Sequence, residues 1–249
     1  MTQNSLLFLI IILFSFQTKA IEEIPLRIVA NEHPLLQYEK EGEIKGPSAN
    51  ILKSILNKAK LNAKVEFMPW PRAYSIAEKR PNTIILSMIR TPEREDKFHW
   101  LGIVSKLARV FISIEDNPYS NIISESDAKN KLIAVTRNSN SYNELIDKGF
   151  SENKNLYVVA SAHEAFKLLI SGKVDLVYND PNAVQEYLLS KNIKQKLQFN
   201  TITPVNRRDS YIAININSNN DLVDKLKVAM SEFEKTKRYI YLLNKKGDH

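Results

Sequence analysis

The chain has 249 residues, of which 43% are hydrophobic, with a formal net charge of +7 and no cysteine. This length suits one large domain or two small lobes. The basic residues are scattered among acids rather than clustered, which disfavours a nucleic-acid-binding protein. A sequence without cysteine forms no disulfide, no thiolate zinc site and no cysteine nucleophile.

The glycines and histidines show no pattern typical of a cofactor site or a metal site. None of the six glycines forms a run typical of dinucleotide or nucleoside triphosphate binding, and the four histidines lack metal-ligand spacing. We therefore expect no cofactor and no bound metal.

The first twenty residues have the pattern of a secretory signal peptide. An apolar run from Leu6 to Phe16, broken only by Ser15, is followed by a short polar stretch and Ala20. The run is shorter than the roughly 17 to 25 apolar residues that a membrane-spanning helix needs. We expect export to the periplasm with cleavage near Ala20; an uncleaved anchor is the alternative, because residues 1–5 lack Lys and Arg. No cysteine follows that could carry a lipid, so a lipoprotein is not expected.

Short β-branched segments alternate with segments of helical period, which predicts α/β layers. In the first unit, strands are predicted at 26–30, 64–68 and 83–89 and helices at 49–59 and 74–79, with a crossing strand at 108–114. In the second unit, strands are predicted at 132–136, 156–159 and 174–178 and helices at 142–148, 162–169 and 182–189. A last strand at 210–215 and a helix beginning at Asp221 are free to return to the first unit. We therefore predict two lobes, 21–112 with 206–249, and 113–205.

Arg94 is a candidate for binding an anion. Thr91 is placed to cap a helix or turn that has proline at its first position. Arg94 would then lie in the first turn, where the helix dipole disfavours a cation by roughly 0.3 to 1 kcal/mol. Its partner is either an acid of the same turn (Glu93, Glu95 or Asp96) or a ligand carboxylate held by two parallel hydrogen bonds.

Asp180 ends the segment that begins at Gly172 and directly precedes Pro181. Its carboxylate could accept hydrogen bonds from an ammonium group. The same position, after a strand and before a proline, also suits the cap of a helix. Asp175 alternates with apolar residues and is better explained as a structural acid.

Two further segments contain candidate ligand contacts. Ser139, Asn140 and Ser141 join a predicted strand to a helix, where free backbone N–H groups favour anions. Plain capping by Ser139 or Ser141 is the simpler explanation of the same residues. Trp70 lies between two prolines just beyond a strand. That position suits an aromatic wall that stacks on a ligand, or a tryptophan packed in a core.

In this order, these segments resemble the family 3 solute-binding proteins, the bacterial extracytoplasmic receptors that serve amino-acid ABC importers. The resemblance covers nearly all of the chain after the leader. It rests on seven segments in order: a first strand at 26–31, a Gly-entered helix at 46–56, a Thr-x-x-Arg segment at 91–94, an aromatic-rich crossing strand at 98–111, a strand with a small polar helix start at 132–142, a Gly-x-x-Asp-x-x-x-x-Asp segment at 172–180 and a Tyr-x-Ala strand at 211–213.

The resemblance implies a bilobal periplasmic-binding-protein fold of type II, with two α/β lobes joined by two hinge strands around a ligand cleft. It implies that Arg94 binds the α-carboxylate of the ligand and that Asp180 binds its α-amino group. It also implies ligand contacts from a strand edge and a helix start: Ser87, Ser139, Asn140 and Ser141.

Some positions depart from the family pattern. Ile89 stands where many amino-acid binders have Ser or Thr, and Ser48 and Asn50 replace acids after the helix glycine. The usual contact set for an amino acid is therefore incomplete. Whether Arg72, Arg90 or Arg137 adds specificity for an acidic ligand stays open.

The predicted function is capture of a small polar solute, foremost an amino acid or a derivative, by hinge closure. A monomeric protein would deliver this ligand to an inner-membrane ABC permease and would not be an enzyme. One alternative is a sensory protein that presents its closed form to a receptor. The other is a dehydratase-like enzyme that uses Glu32, His33 or Glu43 as acid or base.

Overall fold

The computed structural model describes residues 25–115, 122–200, 202 and 206–245, so the predicted signal peptide lies outside the described residues. The described residues form a mixed α/β architecture, which confirms the predicted fold class. The strands are β1 (Arg27–Ala30), β2 (Tyr38–Lys40), β3 (Glu43–Lys45), β4 (Val65–Phe67), β5 (Thr83–Ile89), β6 (Phe98–Ile114), β7 (Ile133–Thr136), β8 (Leu156–Val159), β9 (Leu176–Asn179), β10 (Leu197–Asn200) and β11 (Asn206–Asn215). The helices are α1 (Pro47–Lys58), α2 (Trp70–Lys79), α3 (Glu125–Lys129), α4 (Asn140–Asp147), α5 (Ala162–Ile170), α6 (Pro181–Ser190), α7 (Asn220–Glu234) and α8 (Lys237–Asn244). A 3-10 helix, Pro92–Lys97, joins β5 to β6.

The first lobe is built on the strand order β4-β1-β5-β11. β1 is parallel to both β4 and β5, and β11 runs antiparallel to β5. One face of the sheet packs on α1, α7 and α8 through residues such as Ile28, Leu52 and Leu226, and the other packs on α2. Because β1, β4 and β5 are parallel, their carboxyl ends meet at one edge of the lobe, where a ligand site is expected.

The second lobe repeats this arrangement with β7 between β8 and β9, all three parallel. The helices α4, α5 and α6 each follow one of these strands. Phe166 and Leu169 of α5 are buried in one apolar cluster, and Leu145 of α4 and Phe150 in another. The carboxyl ends of β7, β8 and β9 therefore form the second lobe's equivalent edge.

Two long antiparallel strands connect the lobes. β6 pairs with β11 from Phe98 to Arg109, then with β9 from Val110 to Ile112 and with β10 from Phe111 to Ile114. The change of partner falls at Arg109 and Val110, close to the predicted lobe limit at residue 112. The hinge of the molecule is thus a strand pair.

Several element predictions need correction. The crossing strand begins at Phe98, as the family resemblance implies, and not at residue 108, where the local pattern placed it. Two register shifts in its pairing with β11 break the period-two pattern of burial. α2 begins at Trp70 rather than Tyr74, since prolines are tolerated in a first helical turn. The hairpin of β2 and β3, the edge strand β10 and the last helix α8 were not predicted.

No helix in the described ranges combines the length and the apolar character that crossing a membrane requires.

Candidate ligand-binding site

A cavity of about 360 Å³ lies between the two lobes. Its wall is formed by residues that follow β1, β4, β7 and β8 and by residues of β5, β6 and β9. The two strand-end edges therefore face each other across the cavity, as in other open α/β proteins that bind ligands beyond the carboxyl ends of their strands. The volume is suited to a small molecule.

Arg94 lies in the 3-10 helix and projects into this cavity. The residue is only 3% exposed; Nη1 donates to the Ile89 carbonyl oxygen at 2.9 Å and Nη2 to that of Asn138 at 3.3 Å. Burial lowers the pKa of Arg94. Among the described residues, no salt bridge joins Arg94 to Glu93, Glu95 or Asp96: Glu95 pairs with Arg90, and Glu93 interacts with Arg94 only electrostatically. A buried cation whose hydrogen-bond acceptors are neutral favours an anionic ligand.

Two aromatic rings surround this guanidinium. The Arg94 Cζ atom lies 5.5 Å from the ring centroid of Trp70 and 5.1 Å from that of Tyr74, within cation–π range. Trp70 is buried, lines the cavity and donates through Nε1 to the Asn138 carbonyl oxygen at 2.9 Å. Trp70 is therefore both packed in the protein and part of the cavity wall, so the structure agrees with both interpretations of the sequence.

The start of α4 forms the facing wall, and all three residues predicted there line the cavity: Ser139, Asn140 and Ser141. The Ser139 hydroxyl accepts from the Tyr142 N–H at 3.1 Å, which is the capping interaction. The remaining N–H groups of a first helical turn have no acceptor within the helix, and the helix dipole is positive at this end. This wall therefore suits an anion.

Ser87 reaches the cavity from β5, as predicted. Its φ of 61° is in the left-handed region, which is uncommon for a residue other than glycine. The Ser87 hydroxyl donates to the Gln37 side-chain oxygen at 2.7 Å. Backbone strain of this kind is concentrated at functional sites in proteins.

Asp180 is buried but is not part of the cavity wall. Oδ1 accepts from the backbone and side-chain nitrogens of Asn182 at 3.0 and 3.1 Å, and Oδ2 accepts from the Ala108 N–H at 2.8 Å. The carboxylate thus caps α6 and connects that helix to β6 by a hydrogen bond. Helix capping was the second interpretation of Asp180 in the sequence. In this arrangement it does not join Arg94 at the cavity, and its contact with an ammonium group stays a prediction.

Arg109 is a cavity residue that sequence reasoning missed. Nε donates to the Ser141 hydroxyl at 2.9 Å and Nη1 to the Ala108 carbonyl oxygen at 3.1 Å. Burial lowers its pKa, and the charge of Asp180 opposes that shift. The one available signal was a cation inside the otherwise apolar run that leads from Leu107 to Ile112.

Two histidines also line the cavity, His33 and His163. Burial lowers the pKa of His33 to about 4, with Asp180 opposing the shift and Arg109 adding to it. The pKa of His163 is lowered by burial as well. Both imidazoles are therefore neutral near pH 7, and His33 Nδ1 accepts from the Leu35 N–H at 3.3 Å.

The three residues proposed as acid or base under the enzyme alternative do not all lie at the cavity. Glu32 and His33 line the cavity, whereas Glu43 lies in the β2–β3 hairpin, exposed and paired with Lys45. Within the described residues, no group of three or more His, Cys, Asp or Glu side chains is placed to hold a metal ion.

The fold, with a cleft between two α/β lobes, is that of the periplasmic binding proteins. The chain is similar to the L-cystine-binding protein TcyA of Bacillus subtilis (strain 168), with 24% identity over 203 residues, 81% of this chain and 72% of the relative. It is also similar to the probable amino-acid ABC transporter periplasmic-binding protein y4tE of Sinorhizobium fredii (strain NBRC 101917 / NGR234), with 25% identity over 225 residues, 86% of this chain and 74% of the relative. No protein-family model matches the chain.

Solved structures show the same fold. A histidine kinase sensor domain with similarity to periplasmic binding proteins superposes with a TM-score of 0.75 at 13% identity, and the arginine-, lysine-, histidine-binding protein ArtJ of Geobacillus stearothermophilus with 0.74 at 18%. Each alignment covers 87% of this chain and 93% of the other. Together with the curated relatives, these structures confirm the resemblance to the family 3 solute-binding proteins.

Proposed function

We propose that the protein binds a small carboxylated solute, an amino acid or a close derivative, between its lobes and delivers it to an ABC importer. One observation carries the proposal: the Arg94 guanidinium is buried at the interlobe cavity with only neutral hydrogen-bond acceptors among the described residues. The names of the curated relatives support an amino-acid ligand and an ABC transporter as partner.

Binding would use both lobes at once. The first lobe supplies Arg94 and Trp70, and the second supplies the start of α4 at Ser139. A ligand that contacts both walls interacts more strongly with the closed form than with the open form, so binding shifts the population toward closure. The surface of the closed form is then what a permease recognises.

The relatives named above are binding proteins, and we propose that this chain likewise makes and breaks no bond. We also propose that it acts in the periplasm as a monomer after removal of its signal peptide. The apolar segment near residue 10 and the periplasmic location in the name of one relative support this location.

A sensory role is the second candidate, and the similarity to a histidine kinase sensor domain favours it. Both roles use the same closed form. ATPase stimulation of the cognate permease in proteoliposomes by ligand-loaded protein would support transport, and phosphorylation of a kinase without such stimulation would support sensing.

The test of the proposed function is a thermal-shift screen of residues 21–249 against amino acids, polyamines, oligopeptides and small carboxylates. A ligand that binds only the folded state stabilises it by about 2.7 kcal/mol at a hundred times its Kd. For a protein of this size, that raises Tm by roughly 5 to 10 °C. We expect carboxylated solutes to raise Tm and polyamines to leave it unchanged. No shift from any carboxylated solute at millimolar concentration would contradict the proposal.

A further inference from the structure

Two guanidinium groups line one cavity of this protein. Arg94 comes from the first lobe and Arg109 from the hinge strand β6. Among the described residues, neither has a carboxylate oxygen within the 4.0 Å of a salt bridge. They donate to three backbone carbonyls and to the Ser141 hydroxyl. Arg94 also interacts with the Tyr74 hydroxyl and, electrostatically, with Glu93 and Glu78.

The two acids that interact with Arg109 make hydrogen bonds to other groups, although Oε2 of Glu144 is buried and has no hydrogen-bond partner among the described residues. Asp180 and Glu144 both interact electrostatically with Arg109. The Asp180 oxygens accept from the Ala108 N–H and from Asn182. Glu144 Oε1 accepts from Asn140 at 2.7 Å and from the exposed Arg208 at 3.3 Å. These acids make the burial of Arg109 less costly, but neither is part of the cavity wall.

The remaining charge of the wall is small. Glu32 is the acid that lines the cavity, and it is exposed to solvent. His33 and His163 are neutral near pH 7. The wall therefore has two cations, of which Arg94 is buried and Arg109 half-buried, against one solvated acid. Holding cations away from water without an ion pair is unfavourable until anions join them.

We infer that the cleft takes a small solute with two anionic groups, such as an acidic amino acid or a dicarboxylate of similar length. Arg94 binds one carboxylate, and Arg109, positioned by Ser141, binds the other. This inference rests on the proposed function and specifies its ligand. It also sets this cleft apart from that of ArtJ, whose name specifies arginine, lysine and histidine as ligands.

The first test needs no variant and compares probes that are matched in size. L-glutamate and L-glutamine differ in the charge of one end, and glutarate lacks the amino group. By calorimetry we expect L-glutamate or glutarate to bind at least about thirtyfold more tightly than L-glutamine, and L-arginine to bind more weakly than either acid.

Tighter binding of L-glutamine or L-arginine would overturn the inference and leave the proposed function intact. Failure of every carboxylated solute to bind would overturn both. Binding of glutarate as tight as that of L-glutamate would support the inference and show that the amino group contributes little.

The second test assigns the charge preference to Arg109. In Arg109→Met, the ratio of L-glutamate to L-glutamine affinity should fall from about thirty to near one, because the second cation is gone. Arg109→Lys keeps the charge and should keep most of the ratio. Arg90→Ala is the matched control, since Arg90 is exposed and already paired with Glu95, and it should leave the ratio unchanged.

An equal loss of affinity for both probes in Arg109→Met would overturn the inference, because Arg109 would then only support the fold of the hinge strand. Circular dichroism and the ligand-free Tm identify a misfolded variant. In that case the Arg109→Lys ratio decides, and a ratio near one with the charge retained also overturns the inference.

Discussion

The guanidinium of Arg94 is held in place by the protein alone. Two backbone carbonyls accept its hydrogen bonds, and the rings of Trp70 and Tyr74 lie within cation–π range. A binding group that is already oriented loses little conformational entropy when a ligand arrives. The remaining interaction, a charge-assisted pair with a carboxylate, is then available to the ligand.

His33 should make the stability of the protein depend on pH. Its pKa is about 4 in the folded protein, compared with 6.5 for an unperturbed histidine. Between these values the unfolded chain binds a proton that the folded protein does not bind, so stability falls as the pH drops from 6.5 toward 4. The maximum loss from this group is about 3 kcal/mol.

Urea denaturation at pH 7, 5.5 and 4.5 measures this effect as a difference between wild type and His33→Asn. Asn can still accept the Leu35 N–H but does not titrate. We expect the variant to lose less stability on acidification than the wild type. Equal losses in both proteins would show that His33 does not carry the effect.

Residue type and spacing predicted part of this site. Arg94 and Ser87 were placed at the cavity by the resemblance, and the structure places them there. Asp180 had two interpretations: its hydrogen bonds with Asn182 show the helix cap, and its contact with a ligand stays a prediction. Arg109 was missed, because a cation inside an apolar run does not by itself show that the side chain faces a cleft between lobes.

At the scale of elements, the entry into α1 is an unusual backbone junction. Gly46 has φ of 104° and ψ of 160°, a region open essentially to glycine alone. A Cβ atom there would clash with the carbonyl group of Leu36, which accepts from the Ser48 N–H at 3.0 Å. The close approach of two backbones therefore depends on this glycine.

Gly46→Ala should destabilise the protein by more than about 2 kcal/mol, from backbone strain and the clash together. Gly42→Ala is the matched control: its φ of 75° is also positive, but open space surrounds the added Cβ. It should cost about 1 kcal/mol. Urea denaturation gives both values, and equal costs would contradict the role of the Leu36 contact.

Element boundaries were predictable where local signals agreed. β5 was predicted from Thr83 to Ile89 and has these bounds, because its apolar run is buried on both faces. The long strand β6 was underestimated, because it changes partners and contains irregular pairing. Whether one strand pairs with strands of two lobes depends on tertiary structure, which local periodicity does not show.

At the scale of the whole molecule, the lobes touch through polar and apolar contacts. The Asn138 carbonyl of the second lobe accepts from both Trp70 and Arg94 of the first. Leu36 and Ile89 of the first lobe belong to the apolar cluster of the second. Because the hinge is a pair of strands, closure can change these contacts while each lobe keeps its own core.

The two-lobe organisation followed from the alternation of strands and helices together with the family resemblance. The character of the cavity could not be predicted in this way, since its wall combines residues of five strands with residues of the loops and helices that follow strands. The ligand preference therefore depends on residues that only the folded chain brings together.

The most direct test of the account is a calorimetric comparison of wild type, Arg94→Ala and Arg90→Ala, using the solute that gives the largest thermal shift. Arg94→Ala should lose at least about thirtyfold in affinity, because it removes a buried charged contact that is worth 2 kcal/mol or more. Arg90→Ala should stay within about threefold of the wild type, because that residue is exposed and ion-paired with Glu95. If Arg94→Ala folds normally and binds within about threefold of the wild type, Arg94 does not bind the carboxylate and the central claim is wrong.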